Sequence, residues 1–259
     1  MNKERSAVGV EIRSCQTLEE FQACVALEKR IWQCEDIEVV PAAMFAVIAK
    51  TGGQVFGAFQ GGRIIGFTLA NPGFRKEGLG TRIFLQSHMT AVLPEYENRG
   101  VGRRLKLFQR EEALSRGIAL VEWTFDPLEL RNAYFNLTRL GAVIRRYLPN
   151  FYGITSSPLH SGIPTDRLVA EWWLESERAR AAVAGQPPPF AGKEMVRVSA
   201  PADIGNIRTR DREMAIRIQS EMREQFTNWF AKGYVATGIE TVAGVTSYLL
   251  APVPRGEDA

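Results

Sequence analysis

Apolar and polar residues follow two periods along this chain, and together they predict a mixture of strands and helices. Apolar residues recur at helical spacing after Thr17, and Glu20 completes a capping box three residues later. Two apolar runs flank Gln60-Gly61-Gly62, which predicts a β-hairpin because glycine adopts positive φ without strain. Residues 73–80 are polar and glycine-rich, and we predict a loop there.

The order of the predicted elements indicates the fold class. Strands are predicted at 11–15, 55–59, 63–69, 82–93, 119–125, 142–147 and 168–174, and helices after Thr17 and at 42–49, 100–116 and 132–140. Strands and helices mixed in this way predict an α/β fold with a central mixed sheet flanked by helices.

A change in composition near residue 175 predicts a second part of the chain. We expect a main domain over 1–175 and an Ala/Pro-rich linker over 176–193, in which Pro187-Pro188-Pro189 forms a semi-rigid spacer. A C-terminal appendage over 194–259 should then contain a strand, a long amphipathic helix and two more strands. This appendage is compatible with a lid, a homodimer interface or a half-domain that completes the sheet.

Composition and charge indicate which kinds of binding partner, such as nucleic acid, membrane or small ligand, suit this chain. The 259 residues are 45% hydrophobic and 24% charged, which is ordinary for a globular protein with a core. The net charge of +3 is too small to indicate nucleic acid and suits a small anionic ligand. The sequence has no apolar run near the ~20 residues of a membrane span, so we expect a cytoplasmic protein without membrane contact.

Cysteine and histidine are too few for a metal centre or a disulfide framework. The three cysteines, Cys15, Cys24 and Cys34, form no C-x-x-C pair, and the two histidines are His88 and His160. We therefore expect a reducing compartment and no metal.

The segment from Ala91 to Leu105 has the strongest chemical pattern. A strand ends, a polar turn follows, and a helix begins at two glycines, Gly100 and Gly102. The first amides of a helix lack intrahelical partners and favour anions, so the pattern predicts a diphosphate site. A P-loop would need Lys-Ser or Lys-Thr next, and a dinucleotide fingerprint would need glycine where Leu105 stands. A helix start without any ligand is the plain structural alternative.

With its neighbours, this segment resembles the GCN5-related N-acetyltransferase (GNAT) superfamily. The similar parts are a long strand, a turn of the form [QR]-x-x-G-x-[GA], a helix, a strand and a second helix that ends near Leu140-Gly141. The resemblance covers about two thirds of the chain. Two positions depart from the family pattern, because Glu97 replaces Gln or Arg and Leu137 stands where many members carry a tyrosine acid.

The resemblance implies an acyl-CoA cofactor, acetyl-CoA or another short acyl-CoA, used as a co-substrate. Its pyrophosphate would be held by Asn98, Arg99, Gly100, Val101, Gly102, Arg103 and Arg104. The pantetheine arm would add like a strand to free amides of Ala91, Val92 and Leu93, and a backbone amide near Val92 would polarise the thioester carbonyl. Asn132 could bond the pantetheine, or only begin its helix.

His88 is the predicted general base for the attacking amine. It lies four residues before Val92, where many family members carry a catalytic glutamate. Its reference pKa of about 6.5 suits proton removal near neutrality. A strand histidine that only makes internal hydrogen bonds is the structural alternative.

Tyr134 is the predicted proton donor to the leaving thiolate, near the face of Leu137 but about one turn away. A tyrosine packed in the core and protonation from solvent are the alternatives. Glu122 and Asp126 are alternative bases, and Arg145 or Arg146 could bind a carboxylate of the acceptor.

These features predict an N-acyltransferase that moves an acetyl or other short acyl group from acyl-CoA to a small-molecule amine by direct attack. The first alternative is an acyl-CoA-binding module without transfer. The second is an enzyme that modifies the N-terminus or a lysine of a protein.

Overall fold

A computed structural model of the chain describes residues 9–33, 35–78, 80–189 and 194–252, and excludes the side chains of Glu77 and His160. Cys34, which the sequence analysis named, lies outside these residues. The chain divides into two compact units, Met1–Val121 with Ser156–Leu159, and Glu122–Thr155 with His160–Ala259.

Strands and helices alternate through both units. The strands β1 to β10 are Val10–Ser14, Gln54–Gln60, Arg63–Glu77, Gly80–Val92, Leu120–Phe125, Val143–Leu148, Arg167–Trp173, Val196–Pro201, Tyr234–Val242 and Val245–Pro252. The helices α1 to α7 are Leu18–Trp32, Ala42–Lys50, Val101–Ser115, Leu130–Tyr134, Glu177–Val183, Ile204–Arg210 and Arg212–Ala231. The predicted mixed α/β class is confirmed.

In the first unit, antiparallel strands pair in the order β1-β2-β3-β4. The predicted capping box at the start of α1 is confirmed, because Thr17 accepts from the Glu20 amide and Glu20 bonds back to the Thr17 amide. The predicted hairpin is also present, and Gly61 and Gly62 both have positive φ.

The predicted loop over 73–80 is wrong, because most of it forms strand. β3 continues to Glu77 and β4 already begins at Gly80. Gly73 lies opposite Phe84, and an added Cβ would come within 2.6 Å of that ring. The missing side chain therefore makes room for an aromatic ring across the strand pair, a role that a count of turn-forming residues does not detect.

Aromatic pairs fill the core of the first unit on both faces of its sheet. Phe45 on α2 meets Phe67 on β3 edge to face at 5.7 Å between ring centroids. Phe56 on β2 meets Phe108 on α3 at 4.8 Å, also edge to face. These contacts pack α2 on β3 and α3 on β2, and α3 follows β4 after the turn over residues 93–100.

In the second unit, the C-terminal segment extends the sheet. The strand order is β5-β7-β6-β9-β10-β8, and only residues 122–125 of β5 belong to this unit. Strand β9 joins β6 through the pair Ile144 and Ala236. Residues 177–183, expected as linker, form helix α5 with buried Ala179 and Ala182. The domain boundaries at 175 and 193 stay a prediction.

The helix predicted over 132–140 is α4 followed by a π-helical turn, Phe135–Arg139. Gly141 ends this turn with φ of 75°, and a Cβ there would lie 2.4 Å from the carbonyl oxygen of Arg178. Glycine therefore serves two needs, a left-handed backbone and the close approach of α5. No helix in the described part of the chain is long and apolar enough to cross a membrane.

Candidate functional site

The polar turn after β4 is a built structure, with a fixed backbone path. One turn of 3-10 helix, Pro94–Tyr96, follows Leu93, and the Tyr96 amide donates to the Leu93 carbonyl at 2.8 Å. The Tyr96 hydroxyl donates to Gln60 at 2.6 Å, which ties the turn to β2. Asn98 and Gly100 both have positive φ, 56° and 79°. Asparagine and glycine tolerate this conformation best, which explains both residues.

The amides of Val101, Gly102 and Arg103 form the first turn of α3 and have no acceptor inside the helix by its geometry. The first intrahelical bond runs from the Arg104 amide to the Gly100 carbonyl, at 3.0 Å. Gly100 is the N-cap residue and supplies no side-chain acceptor. These amides and the helix dipole make the start of α3 a place that favours an anion.

Gly102 keeps this start of the helix open. A Cβ built there would meet one heavy atom within 4 Å, Cγ2 of Val92, at an ordinary contact distance of 3.7 Å. The fold therefore does not need glycine at this position for packing, and Gly102 does not have positive φ. The space that a side chain would fill lies beside the open amides, which is what close approach of a ligand requires.

The three predicted arginines are placed differently. Arg99 is exposed and its guanidinium lies 5.5 Å from the centre of the Tyr96 ring. Arg103 is partly buried. Arg104 donates to the Val10 carbonyl of β1 at 2.7 Å, so its side chain is committed to the fold. The prediction that Arg104 adds its charge to the anion site therefore finds no support in its geometry.

The prediction of three free amides at the end of β4 is wrong for Leu93, whose amide donates to the Ile65 carbonyl of β3 at 2.9 Å. Amides alternate in direction along a strand, so the Ala91 amide, opposite Phe67, also faces β3. The Val92 amide points to the other edge of β4. Of the three predicted amides, only that of Val92 therefore faces away from β3.

His88 lies at a β-bulge in β4. Leu69 of β3 pairs with Met89 and Ala70 pairs with Ser87, so His88 is the extra residue between them. Its side chain is exposed, yet the groups around the ring lower its pKa below the usual 6.5 by desolvation. The imidazole is therefore neutral at neutral pH, the form that accepts a proton. Bulges redirect side chains out of the ladder, which suits a reactive group.

The other predicted site residues, Asn132 and Tyr134, lie in the second unit on α4, where both are exposed and Tyr134 is 51% exposed. Leu137 is fully buried, so the expected shared face of Tyr134 and Leu137 is absent. The π-helical turn that begins at Phe135 changes the spacing between the two residues and accounts for the difference.

The alternative bases and arginines are engaged in ion pairs within the second unit. Glu122 is buried and pairs with Arg146 at 2.8 Å. Asp126 accepts from the Leu128 amide and from Arg208, each at 2.8 Å. Arg145 pairs with the buried Glu171 at 2.8 Å. These partners favour structural roles for all four. The described residues contain no cluster of three metal-ligating side chains.

A buried polar cluster that the sequence pattern did not predict lies behind the anion site. The ammonium group of Lys106 on α3 donates to Ser87 at 2.8 Å and to Gln109 at 3.0 Å, and all three residues are buried. Burial lowers the pKa of Lys106 to about 7. The sequence signal was present, because Lys106 and Gln109 share the helical face of the buried Ala113. This cluster connects α3 to the residue that precedes His88.

Comparison with known proteins supports one family. Residues 18–136 match the model of the acetyltransferase (GNAT) family. No curated protein matches the sequence. The structure of yncA from Salmonella typhimurium with its cofactor acetyl-CoA is similar with a TM-score of 0.52 at 17% identity, over 65% of this chain and 95% of that chain. This likeness confirms the predicted acyltransferase-like fold.

Two further solved structures are similar at lower scores. Ard1 from Thermoplasma volcanium has a TM-score of 0.48 at 16% identity, over 63% of this chain and 97% of that chain. The ribosomal-protein-S18-alanine N-acetyltransferase from Escherichia coli has a TM-score of 0.46 at 18% identity, over 71% of this chain and 97% of that chain.

Replacing Lys106 by Met should change how stability depends on pH. The unfolded lysine has a pKa of about 10.4, so between pH ~7 and ~10 the unfolded chain binds more protons at this residue. The free energy of unfolding of the wild type should therefore rise with pH, by at most about 1.4 kcal/mol per pH unit from this group. Lys106→Met should lose that slope, as measured by urea unfolding at pH 7, 8 and 9.

The exposed Lys50 provides the control, and Lys50→Met should keep the wild-type slope. Equal slopes in the wild type and Lys106→Met would contradict the lowered pKa.

Proposed function

Residues 18–136 belong to the acetyltransferase (GNAT) family, and we propose on this basis that the chain transfers an acyl group from acyl-CoA to an amine. The observation that carries the proposal is the first turn of α3, where the amides of Val101, Gly102 and Arg103 follow a glycine N-cap and have no acceptor inside the helix. A linked pair of phosphates matches these donors in charge and in hydrogen-bonding capacity.

Coenzyme A fits the residues at this turn. The missing side chain of Gly102 leaves the space beside the amides open, and no packing requirement explains the glycine. We propose that the amides from Asn98 to Arg103, with the exposed Arg99, hold the diphosphate of acetyl-CoA or another short acyl-CoA. The Val92 amide, which points away from β3, would bond the pantetheine arm or polarise the thioester carbonyl oxygen.

We propose His88 as the general base. Alkyl amines are mostly protonated near pH 7 and must lose a proton before they can attack a thioester. The lowered pKa of His88 keeps the imidazole neutral, so Nδ1 or Nε2 can accept that proton directly or through one water. Tyr134 is the proposed proton donor to the thiolate, and solvent is the alternative. The amine nitrogen forms a C–N bond to the acyl carbon, the C–S bond breaks, the amine loses one proton to the base, and the departing thiolate gains one.

The proposed acceptor is a small-molecule amine, in a cytoplasmic enzyme. The two other hypotheses are a binding module that does not transfer and a protein N-acetyltransferase. Release of free thiol from acetyl-CoA with a panel of small amines supports the proposal. Tight acyl-CoA binding without release supports the module, and release with peptides alone supports modification of proteins.

Gly102→Ala should separate coenzyme binding from folding. The added methyl makes only an ordinary contact with Val92, and alanine favours a helix, so stability should be unchanged or rise by up to about 1 kcal/mol. The same methyl lies beside the open amides, so the Kd for acetyl-CoA should rise about tenfold or more, a loss of about 1.4 kcal/mol. Calorimetric titration measures the Kd for acetyl-CoA, and urea unfolding measures the stability.

Gly205→Ala is the matched control, because Gly205 is also the second residue of a helix, α6, with nothing within 4 Å of a built Cβ. It should show the same change in stability with unchanged Kd. An unchanged Kd in Gly102→Ala would contradict the proposed position of the diphosphate.

His88→Gln should lower kcat about 100-fold, within the range usual for loss of a general base, and leave the Kd for acetyl-CoA within about twofold. In the wild type, kcat/KM should rise with pH as the imidazole loses its proton below its usual pKa, and the variant should lack this rise. Steady-state kinetics from pH 5 to 9 tests both statements. Unchanged turnover would remove His88 from the mechanism.

A further inference from the structure

The C-terminal segment, which lies outside the family match, contacts the turn that begins α4. Arg208 on α6 donates from Nη1 to Oδ2 of Asp126 at 2.8 Å and from Nη2 to Oε1 of Glu129. The side chains of Arg208 and Asp126 are each 9% exposed. One guanidinium therefore bridges the two ends of the turn over residues 126–129.

The turn is held at every position between these two carboxylates. Oδ1 of Asp126 accepts from the Leu128 amide at 2.8 Å, and the Asp126 carbonyl accepts from the Glu129 amide at 3.0 Å. The fully buried Tyr248 of β10 donates its hydroxyl to the Pro127 carbonyl at 2.7 Å. Two elements of the C-terminal segment, α6 and β10, thus fix one four-residue turn.

This turn determines where α4 starts. Glu129 is the N-cap residue of α4, and its carbonyl accepts from the Ala133 amide at 3.0 Å. α4 has five residues, and a helix this short is unstable without support from its surroundings. It carries Asn132 and Tyr134, both with exposed side chains. The direction of these two side chains therefore depends on what fixes the turn.

We propose that Arg208 is a positioning residue for acyl transfer, because its bridge between Asp126 and Glu129 sets the start of α4 and so the place of Tyr134. This proposal rests on the function proposed above, in which Tyr134 protonates the leaving thiolate. The C-terminal segment is then part of the catalytic apparatus, acting through α4 without touching the reacting atoms.

Removal of Arg208 alone would leave Asp126 buried without its cation, which is strongly destabilising. The test therefore uses Arg208→Met together with Asp126→Asn, which removes both charges of the pair. In this double variant, hydrogen exchange of the amides of residues 130–134 should be at least about tenfold faster, because the α4 start loses its bridge. kcat should fall about tenfold while the KM for acetyl-CoA stays within about twofold.

A coupling measurement distinguishes positioning from general weakening. Tyr134→Phe should lower kcat in the wild type and cause no further loss in the double variant, because a misplaced tyrosine no longer contributes. Arg208→Lys keeps the charge but not the bidentate fork, so its kcat should lie between the values of the wild type and the double variant.

A second ion pair of the same segment, between the half-buried Arg223 and a buried carboxylate, supplies the control. Arg223 on α7 donates to both oxygens of the fully buried Asp166, at 2.8 and 2.9 Å. Arg223→Met with Asp166→Asn likewise removes one arginine and one buried aspartate that bond to each other, from a different loop. Exchange at 130–134 should stay at the wild-type rate in this variant, and the effect of Tyr134→Phe on kcat should be fully retained.

Two results would overturn the proposal in different ways. Wild-type kcat in Tyr134→Phe would remove the tyrosine from the proposed function and the catalytic purpose of Arg208 with it. In the second case, Tyr134→Phe lowers kcat by the same factor in the wild type and in the double variant, or exchange at 130–134 is unchanged. Either result would leave the proposed function intact and overturn the positioning role of Arg208 alone.

Discussion

The first turn of α3, whose amides have no acceptor inside the helix, is the feature on which the proposed binding site depends. A helix with glycine at its N-cap has no side chain there to accept from the amides of its first turn. The surrounding bonds keep the turn in one path, from Tyr96 to Gln60 and from Arg104 to Val10. The fold thus holds a set of donors in place for an anion, and the proposed function assigns that anion as the diphosphate of coenzyme A.

Local sequence rules predicted the elements that depend on local chemistry. The Thr17 and Glu20 capping box, the Gly61-Gly62 turn and the glycine start of α3 each follow from backbone requirements within a few residues. They failed where a distant partner decides the outcome. Gly73 is strand because it faces Phe84, the Leu93 amide is bonded by Ile65, and Arg104 is held by Val10. None of these partners is adjacent in sequence.

Buried charged side chains make contacts that the composition of the chain does not predict. In the sequence, Lys106 is one charged residue among many. In the fold, its ammonium group donates to Ser87 and Gln109. The C-terminal segment resembled an appendage after a charged, proline-rich stretch, yet its strands join the sheet of the second unit and Arg208 reaches two carboxylates of that unit. Desolvated ion pairs of this kind require specific partners, so they join segments that hydrophobic patterning treats as separate.

A crystal structure of the chain in complex with coenzyme A tests most directly whether the first turn of α3 binds the diphosphate. We expect diphosphate oxygens at about 2.7–3.2 Å from the amides of Val101, Gly102 and Arg103, beside the empty side-chain position of Gly102. A complex in which the diphosphate binds elsewhere, while protein groups occupy these amides, would contradict it.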